Sequence, residues 1–533
     1  MTVSDCRTAQ VRIAFSTLFL SVAAIFASPV GAQTSAFSQS LATAAATDET
    51  VAEWYRTTGY ETLWTGAEDA PRRAAFLAAI ARAPDHGLPV QRYNAGALIA
   101  AIRVAETEAD RGRLEVAMTR AYVNWAHDLA SGVLEPKKVD ASILREITRE
   151  DPQLLLARLA SGDAAAVLAD LEPKSAFYLS LMKAKIALEA DIAADGWGNT
   201  AVTGPLEPGA SGPQVVALRD RLIAMGYLAA NASQTYDRRL QAAVQEFQLN
   251  HGLNADGVAG ESTVAEINVG PEARLRSVVV AMERERWMDI DRSVRHIWVN
   301  QPEFTARIID HGKTVFRTRV VIGKNVPDQR SPEFSDLMEH MVINPSWGVP
   351  RSITVKEYLP LLQRNPNAVG HLQVLDSRGR VVPRGAVNFA AYNARNFPYG
   401  LRQPPSDGNA LGLVKFMFPN PYNIYLHDTP SKSLFDHEVR AYSHGCIRVA
   451  DPFDLAHALL SLQTATPEAD FDAALKTGRE TLVKLDQPVP VHLVYFTAFP
   501  TAKGKMAYAR DVYGRDAALY EALVAAGVVL GGV

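Results

Sequence analysis

The chain has 533 residues, 48% hydrophobic and 21% charged, with 54 Lys+Arg against 58 Asp+Glu and two cysteines. That length holds roughly three or four domains with full cores; the composition excludes wholesale disorder, and a net charge of −4 without any long basic run excludes a dominant polyanion-binding surface. Two cysteines and no C-x-x-C pair exclude a disulfide framework, a zinc ribbon and a dithiol redox motif.

Residues 1–32 have the pattern of a secretory signal peptide. Arg7 and Arg12 stand in a polar start, Ile13 to Ala27 is apolar, and Val30-Gly31-Ala32 supplies small or apolar residues before a cleavage point at Gln33. The apolar run is shorter than the ~20 residues a bilayer span needs. Removal is therefore predicted, with export to the periplasm, as a soluble or wall-associated protein without a membrane span. Cleavage takes Cys6 away and leaves Cys446 as a lone thiol in an oxidising compartment, where it is either inert or kept for chemistry.

From 33 to 195 the chain is Ala/Leu-rich with helical periodicity; Leu114, Met118, Ala121, Tyr122 and Trp125 share one helix face. Asp48, Asp85 with Gly87, Asp151 and Asp163 punctuate it as caps or turns. Nothing here has catalytic spacing, so the segment reads as a helical scaffold. Ser180-Leu181-Met182-Lys183 and Lys476-Thr477-Gly478 match two of the three motifs of penicillin-recognising enzymes, but no [S/Y]-x-N lies between them. The match is coincidental.

A Gly/Pro-rich linker precedes a compact unit over 205–270, in which Val215, Leu218 and Leu222, then Leu240, Val244 and Phe247, mark two helices. The series Gly212, Val215, Leu218, Leu222, Gly226-Tyr227, Val244, Phe247-Gln248, Gly252-Leu253, Asp256-Gly257, Gly260, Thr263 resembles a peptidoglycan-binding type 1 domain, which implies three helices and either a wall-glycan or stem-peptide partner or a role as a spacer alone. After Gly270 the periodicity turns to strand alternation, at Val294–Asn300, Phe304–Asp310 and Val315–Ile322, with His311-Gly312 as a hairpin turn. A β-rich domain is expected over 271–500, with an irregular, lid-like insertion at about 349–412, and a C-terminal segment over 501–533.

Tyr442-Ser443-His444-Gly445-Cys446-Ile447-Arg448-Val449 leads to a helix start at Asp451-Pro452. A thiol just before a helix N-terminus is biased toward thiolate. His444 and His427 are the candidate bases, and the amides of Gly445 and Cys446 can form an oxyanion hole. Ser, His, Gly and Arg neighbours argue against an inert buried cysteine. Zinc held by His427, Asp428, His437, His444 and Cys446 is disfavoured, because no helical ligand spacing, H-E-x-x-H or H-x-H occurs.

His427, then 15 residues (428–442) opening with Asp428-Thr429-Pro430, then Ser443-His444-Gly445-Cys446-Ile447-Arg448, resembles the L,D-transpeptidase (YkuD-type) catalytic motif. Asn344-Pro345-Ser346-Trp347-Gly348-Val349-Pro350 and Glu53-Trp54-Tyr55 add to the likeness, and Ala450, where the family often has Asn, departs from it. The resemblance implies a multidomain α+β chain of helical scaffold, peptidoglycan-binding unit and β-rich catalytic domain with an inserted lid. It makes Cys446 the nucleophile and His427 the base, with the Asp428 backbone carbonyl orienting the imidazole. The amides of His444, Gly445 and Cys446 would hold the oxyanion. Arg448 either holds the motif loop or binds a substrate carboxylate; Ser443, Tyr442 and Trp347 fall on the substrate side. The implied reaction is acyl transfer from a tetrapeptide stem to an amine through a thioester, forming 3→3 crosslinks without metal or cofactor and blocked by carbapenems acylating Cys446. Water or a lipoprotein lysine as acceptor shares the same motif, and a non-catalytic wall-binding protein would lack the Cys or His.

Overall fold

The computed structural model describes residues 35–198 and 200–530. The predicted signal peptide, with Cys6, lies outside the described residues. Among the described residues no helix is long and apolar enough to cross a membrane.

Helices Ala36–Ala45 through Ala176–Ala193 wrap the long helix Glu108–Ser131, whose Leu114, Met118, Ala121, Tyr122 and Trp125 are all buried. Asp48, Asp151 and Asp163 accept the amides of Val51, Gln153 and Ala165, closing helix starts whose first N–H groups have no intrahelical partner. The unit that follows has three helices, Pro213–Ala224, Arg238–Asn250 and Glu261–Ile267, around a core of Leu218, Leu222, Leu240, Val244 and Phe247.

The turn to strands comes later than the alternation suggests. Residues 271–286 form a helix, Pro271–Arg286, and its Leu275, Val278, Val279 and Met282 join the core of the N-terminal helices rather than the β-domain. Glu283, Arg284, Glu285 and Arg286 are buried in succession, a charge density that hides the helical period. Each is paired instead of solvated: Arg286 with Glu283 at 2.8 Å, Arg284 with Glu333 and Asp516, and Glu285 with Arg292 at 2.5 Å.

The β-domain begins with His296–Asn300 (β1), Thr305–Asp310 (β2), Lys313–Gly323 (β3) and Phe334–Ile343 (β4). The insertion carries Trp347–Gly348 (β5), Gln373–Leu375 (β6), Val381–Val382 (β7) and Gly400–Gln403 (β8). Val414–Met417 (β9), Leu426–His427 (β10), Ala441–Ser443 (β11), Ile447–Val449 (β12) and Thr481–Val494 (β13) return to the main sheet, and Ala498–Pro500 (β14) and Met506–Tyr508 (β15) make a hairpin.

The main sheet runs β11-β3-β12-β10-β9-β4-β13-β1-β2, and an added β2–β3 pairing closes it on itself with β11 outside. One strand face fills the interior with Ile297, Val299, Met341, Phe416, Leu426, Ile447 and Val491, where helix Pro452–Leu460 also packs. The insertion forms its own sheet, β5-β8-β6-β7, over its own core of Trp347, Leu359, Leu362, Phe389, Phe397 and Leu401. The C-terminal segment joins the others together. Leu519 and Leu523 enter the helical core, while β15 and its turn reach the three-helix unit through Tyr508 against His251 and Lys505 against Glu246 at 3.0 Å.

Candidate active site

Strands β10 and β12 are parallel neighbours, with Leu426 opposite Ile447 and His427 opposite Arg448. Leu426 and Ile447 point into the apolar interior. Strand alternation therefore puts His427 and Arg448 on the outer face, and one step back in the same register Tyr425 and Cys446. The result is a two-by-two grid: Tyr425 beside Cys446, His427 beside Arg448, thiol and imidazole on the diagonal. On the far side of β10, β9 pairs Lys415 with His427, so an ammonium and a guanidinium flank the imidazole.

His427 is buried and its Nδ1 lies 2.5 Å from the carbonyl oxygen of Asp428. A carbonyl only accepts, so Nδ1 carries the proton and the lone pair of the neutral ring is on Nε2. The Asp428 carboxylate has other work: it accepts the amides of Leu413 at 2.9 Å and Thr429 at 2.6 Å and the Lys432 ammonium at 2.8 Å. Gly412, at φ +61°, faces this carboxylate so closely that a Cβ would lie 2.2 Å from Asp428 Oδ2.

Cys446 is partly exposed, at the start of a strand rather than at the mouth of a helix, because β12 runs between it and the helix beginning at Pro452. The helix-dipole expectation fails there. The Asp451 carboxylate accepts the Thr318 hydroxyl at 2.8 Å instead of capping its helix. The thiol donates to the Asn423 carbonyl at 3.5 Å, with Tyr425 beside it. Burial pushes it up to about 11, against the lowering by Tyr425 and the Arg448 charge. Burial, then the Arg448 charge, push His427 down to about 3, the Asp428 carbonyl pulling the other way and Lys415 adding to the fall. At neutral pH both members of the pair are uncharged, so ionisation of the thiol belongs to the attack itself rather than to the resting site.

The loop 443–446 departs from expectation in two places. The Ser443 hydroxyl donates to the Cys446 carbonyl at 2.6 Å and accepts the Gly445 amide at 3.0 Å, which takes the Gly445 amide out of the expected oxyanion set. The amides of Cys446 and His444 have no partner among the described residues. His444 turns to the insertion, its Nε2 2.7 Å from Glu357 Oε1, and Lys356 reaches Asp328 at 2.5 Å beside it. Gly445 sits at φ +118°, a conformation only glycine takes without strain.

Of the expected substrate side chains, Arg448 is the one with an unpartnered buried polar atom. Its Nε is buried without a partner and no carboxylate pairs with it among the described residues, so the loop-holding reading has no contact behind it. Tyr442 is exposed against His437. Trp347 is a core residue of the insertion, 9% exposed with its ring against Tyr358. Large aromatic rings near a motif read as ligand contacts until a separate small core claims them. The sequence does not single out Tyr425, Lys415 or Glu357, which the structure places beside the thiol, the imidazole and His444. Only Tyr425, two positions before His427 on an alternating strand, left a signal in the sequence; the others arrive by pairing across the sheet or from the insertion.

A cavity of about 470 Å³ opens beyond the C-terminal ends of β10 and β12, lined by Leu413, Asp428, Thr429, Lys432, Asp451 and Phe453 but not by Cys446. It adjoins the chemistry without containing it. Among the described residues no group of three or more His, Cys, Asp or Glu side chains is placed to hold a metal ion.

Three family models match the chain: an L,D-transpeptidase catalytic domain over 294–486, a "Putative peptidoglycan binding domain" over 211–267, and a scaffold domain over 49–184. The chain is 31% identical over 239 residues to a Haemophilus influenzae protein named "Putative L,D-transpeptidase", covering 44% of this chain and 48% of that one. It thus spans about half the length of that relative. Among solved structures, the L,D-transpeptidase of Xylanimonas cellulosilytica matches at 14% identity over 56% of this chain and 100% of that one, with a TM-score of 0.18. The L,D-transpeptidase (Yku) of Stackebrandtia nassauensis matches at 15% identity over 56% and 97%, with a TM-score of 0.21. Scores this low add no weight to the sequence matches.

Proposed function

With an L,D-transpeptidase catalytic domain over 294–486 and a peptidoglycan-binding domain before it, we propose that the chain is a cell-wall acyltransferase that crosslinks peptidoglycan stems through a Cys446 thioester. The observation that carries this is the grid on β10 and β12, with His427 Nδ1 fixed by the Asp428 carbonyl so that Nε2 is the free base.

The chemistry follows from neutral partners. As the Cys446 sulfur attacks the carbonyl of diaminopimelate at stem position three, its proton passes to His427 Nε2. The amides of Cys446 and His444 take the growing oxyanion. The C–N bond to D-Ala at position four breaks, the leaving amine takes the proton from His427, and a thioester remains. A neutral side-chain amine of a second stem attacks it and gives a proton to His427; the C–S bond breaks, the departing Cys446 sulfur takes that proton back from His427, and a 3→3 crosslink is formed. Buried His427 returns to its neutral form after each half, which a low imidazole pKa favours. Arg448, whose Nε has no hydrogen-bond partner among the described residues, is the group that holds a stem carboxylate in this reading. The unit over 205–270 then keeps the enzyme on its polymer, and the insertion covers the donor stem. Work on peptidoglycan places the protein in the cell wall or periplasm, and a carbapenem acylates the same sulfur.

Incubation with tetrapeptide-containing muropeptides, read by mass spectrometry, tests the reading. Crosslinked dimers with loss of D-Ala are expected from the wild type and none from Cys446→Ala. Tripeptide monomers alone would mean water as acceptor, and dimers from Cys446→Ala would end the thioester mechanism.

A further inference from the structure

Ser331 lies at the end of the loop following β3, far from the catalytic motif in sequence, and is fully buried. All four of its polar functions are used. Its hydroxyl donates to the Gly445 carbonyl at 2.6 Å and accepts the Gly323 amide at 3.0 Å. Its own amide donates to the Tyr513 hydroxyl at 3.3 Å, and its carbonyl accepts Arg515 Nη2 at 2.9 Å. Tyr513 in turn donates to the Gly323 carbonyl at 2.6 Å, and Arg515 is held by Glu333 at 3.3 Å. A side chain satisfied this completely has one geometry available to it.

The contact with Gly445 has a consequence for the thiol's neighbour. The Gly445–Cys446 peptide is a planar trans unit, so its C=O and N–H point in opposite directions. Gly445, at φ +118°, lacks the Cβ that would restrict rotation of that plane. The Ser331 hydroxyl, from the interior, draws the carbonyl inward and thereby turns the Cys446 N–H outward, to the side where the thiol is exposed. On the next plane, Ser443 holds the Cys446 carbonyl and Tyr425 accepts the Ile447 amide at 3.1 Å, so the loop is pinned on both sides of the nucleophile.

We propose that Ser331 is a positioning residue for the oxyanion hole, setting the Gly445–Cys446 peptide plane so that the Cys446 amide meets the tetrahedral intermediate. This rests on the acyl-transfer reading above. It assigns a task to the C-terminal segment as well: Tyr513 and Arg515 hold Ser331, and through it the catalytic loop.

The test separates a step that builds an oxyanion from one that does not. Thioester formation from a tetrapeptide muropeptide does; alkylation of the same sulfur by iodoacetamide does not. In Ser331→Ala the acylation rate is expected to fall about 10–100-fold, less than or near the loss from removing an oxyanion donor outright. Alkylation of Cys446 is expected to stay within twofold of wild type, with KM for the donor nearly unchanged. Ser331→Thr, which keeps the hydroxyl, is expected to restore the ratio of acylation to alkylation. The inference is overturned if Ser331→Ala acylates within twofold of wild type, if both reactions slow together, or if Thr leaves the ratio as low as Ala does. A wild-type protein that is alkylated yet forms neither thioester nor crosslink would instead end the acyl-transfer reading, and this inference with it.

Discussion

The two halves of the proposed catalytic pair are held in opposite ways. His427 is fixed by its own neighbourhood: the carbonyl of the next residue, a carboxylate bonded to Leu413 and Thr429, and a glycine at 412 that lets that carboxylate in. Cys446 is fixed from afar, its loop pinned by Ser331 and, behind Ser331, by Tyr513 and Arg515 of the C-terminal segment. The proposed base thus has its support within one stretch of chain, from Gly412 to Thr429, while the proposed nucleophile's loop depends on the C-terminal segment having folded onto it. Changes on the His427 side should act locally and strongly, those around the loop more gradually.

The largest effect expected is at the base. His427→Ala should lower acyl transfer by about 10²–10⁴-fold, the usual worth of a positioned general base, while donor KM changes little. Because the thiol is pushed up to about 11 by burial rather than ionised by the imidazole, the same variant should keep an iodoacetamide alkylation rate near wild type. A matching collapse of alkylation would show a preformed thiolate–imidazolium pair and break the neutral-pair account.

Next comes the frame beneath the base. Asp428→Ala keeps the carbonyl that orients His427 but strands the amides of Leu413 and buried Thr429 and the Lys432 ammonium. Unpaired buried groups cost about 1–3 kcal/mol each, so urea denaturation should show a loss of about 2–4 kcal/mol. Activity should fall about tenfold as the imidazole loosens. Full stability with activity gone would mean that the carboxylate itself enters the chemistry.

This asymmetry also explains what the sequence disclosed. His427 and Asp428 were legible because the carbonyl that orients the ring belongs to the next residue, and the Ser443–Arg448 run because its residue types stand together at a fixed spacing, although what pins that loop lies far away in the chain. Strand alternation, once β10 and β12 are paired, puts Tyr425 and Arg448 on the same outer face. The helix Pro271–Arg286 was not legible, since buried Glu283–Arg286 owe their place to Glu333, Asp516 and other distant partners. The place of Trp347 in a core was not legible for the same reason, since that core is built by residues from across the insertion. Ser331 is an ordinary Ser-Pro until β3, the motif loop and the C-terminal segment meet around it.

A smaller and broader effect concerns acid. Burial holds His427, His86 and His492 near 3 and lowers His251 as well. Unfolded, each titrates near 6.5, so between those values the unfolded chain binds more protons and stability falls as pH drops from about 6.5 toward 3. Each such histidine adds a slope of up to about 1.4 kcal/mol per pH unit. His427→Gln should make the slope of unfolding free energy against pH shallower by about one proton's share. An unchanged slope would mean that His427 is already solvated and titrates normally, which would weaken the local-frame side of the comparison.

The smallest effect should come from the link between the motif loop and the insertion. His444 meets Glu357 at 2.7 Å, with side chains 32% and 44% exposed. Such solvent-facing pairs contribute about 0–1 kcal/mol and are screened by salt. Because the insertion carries its own core, losing this contact should free the insertion's edge without unfolding anything. Glu357→Ala should therefore leave the midpoint of thermal unfolding within a degree or two and leave alkylation of Cys446 unchanged. Donor KM should shift by severalfold at low salt, and the difference from wild type should shrink as salt rises. A loss in kcat that persists at high salt would instead mean that Glu357 holds His444, and with it the His444 amide, in the shape the oxyanion needs. The nucleophile loop would then be pinned from the insertion as well as from the C-terminal segment.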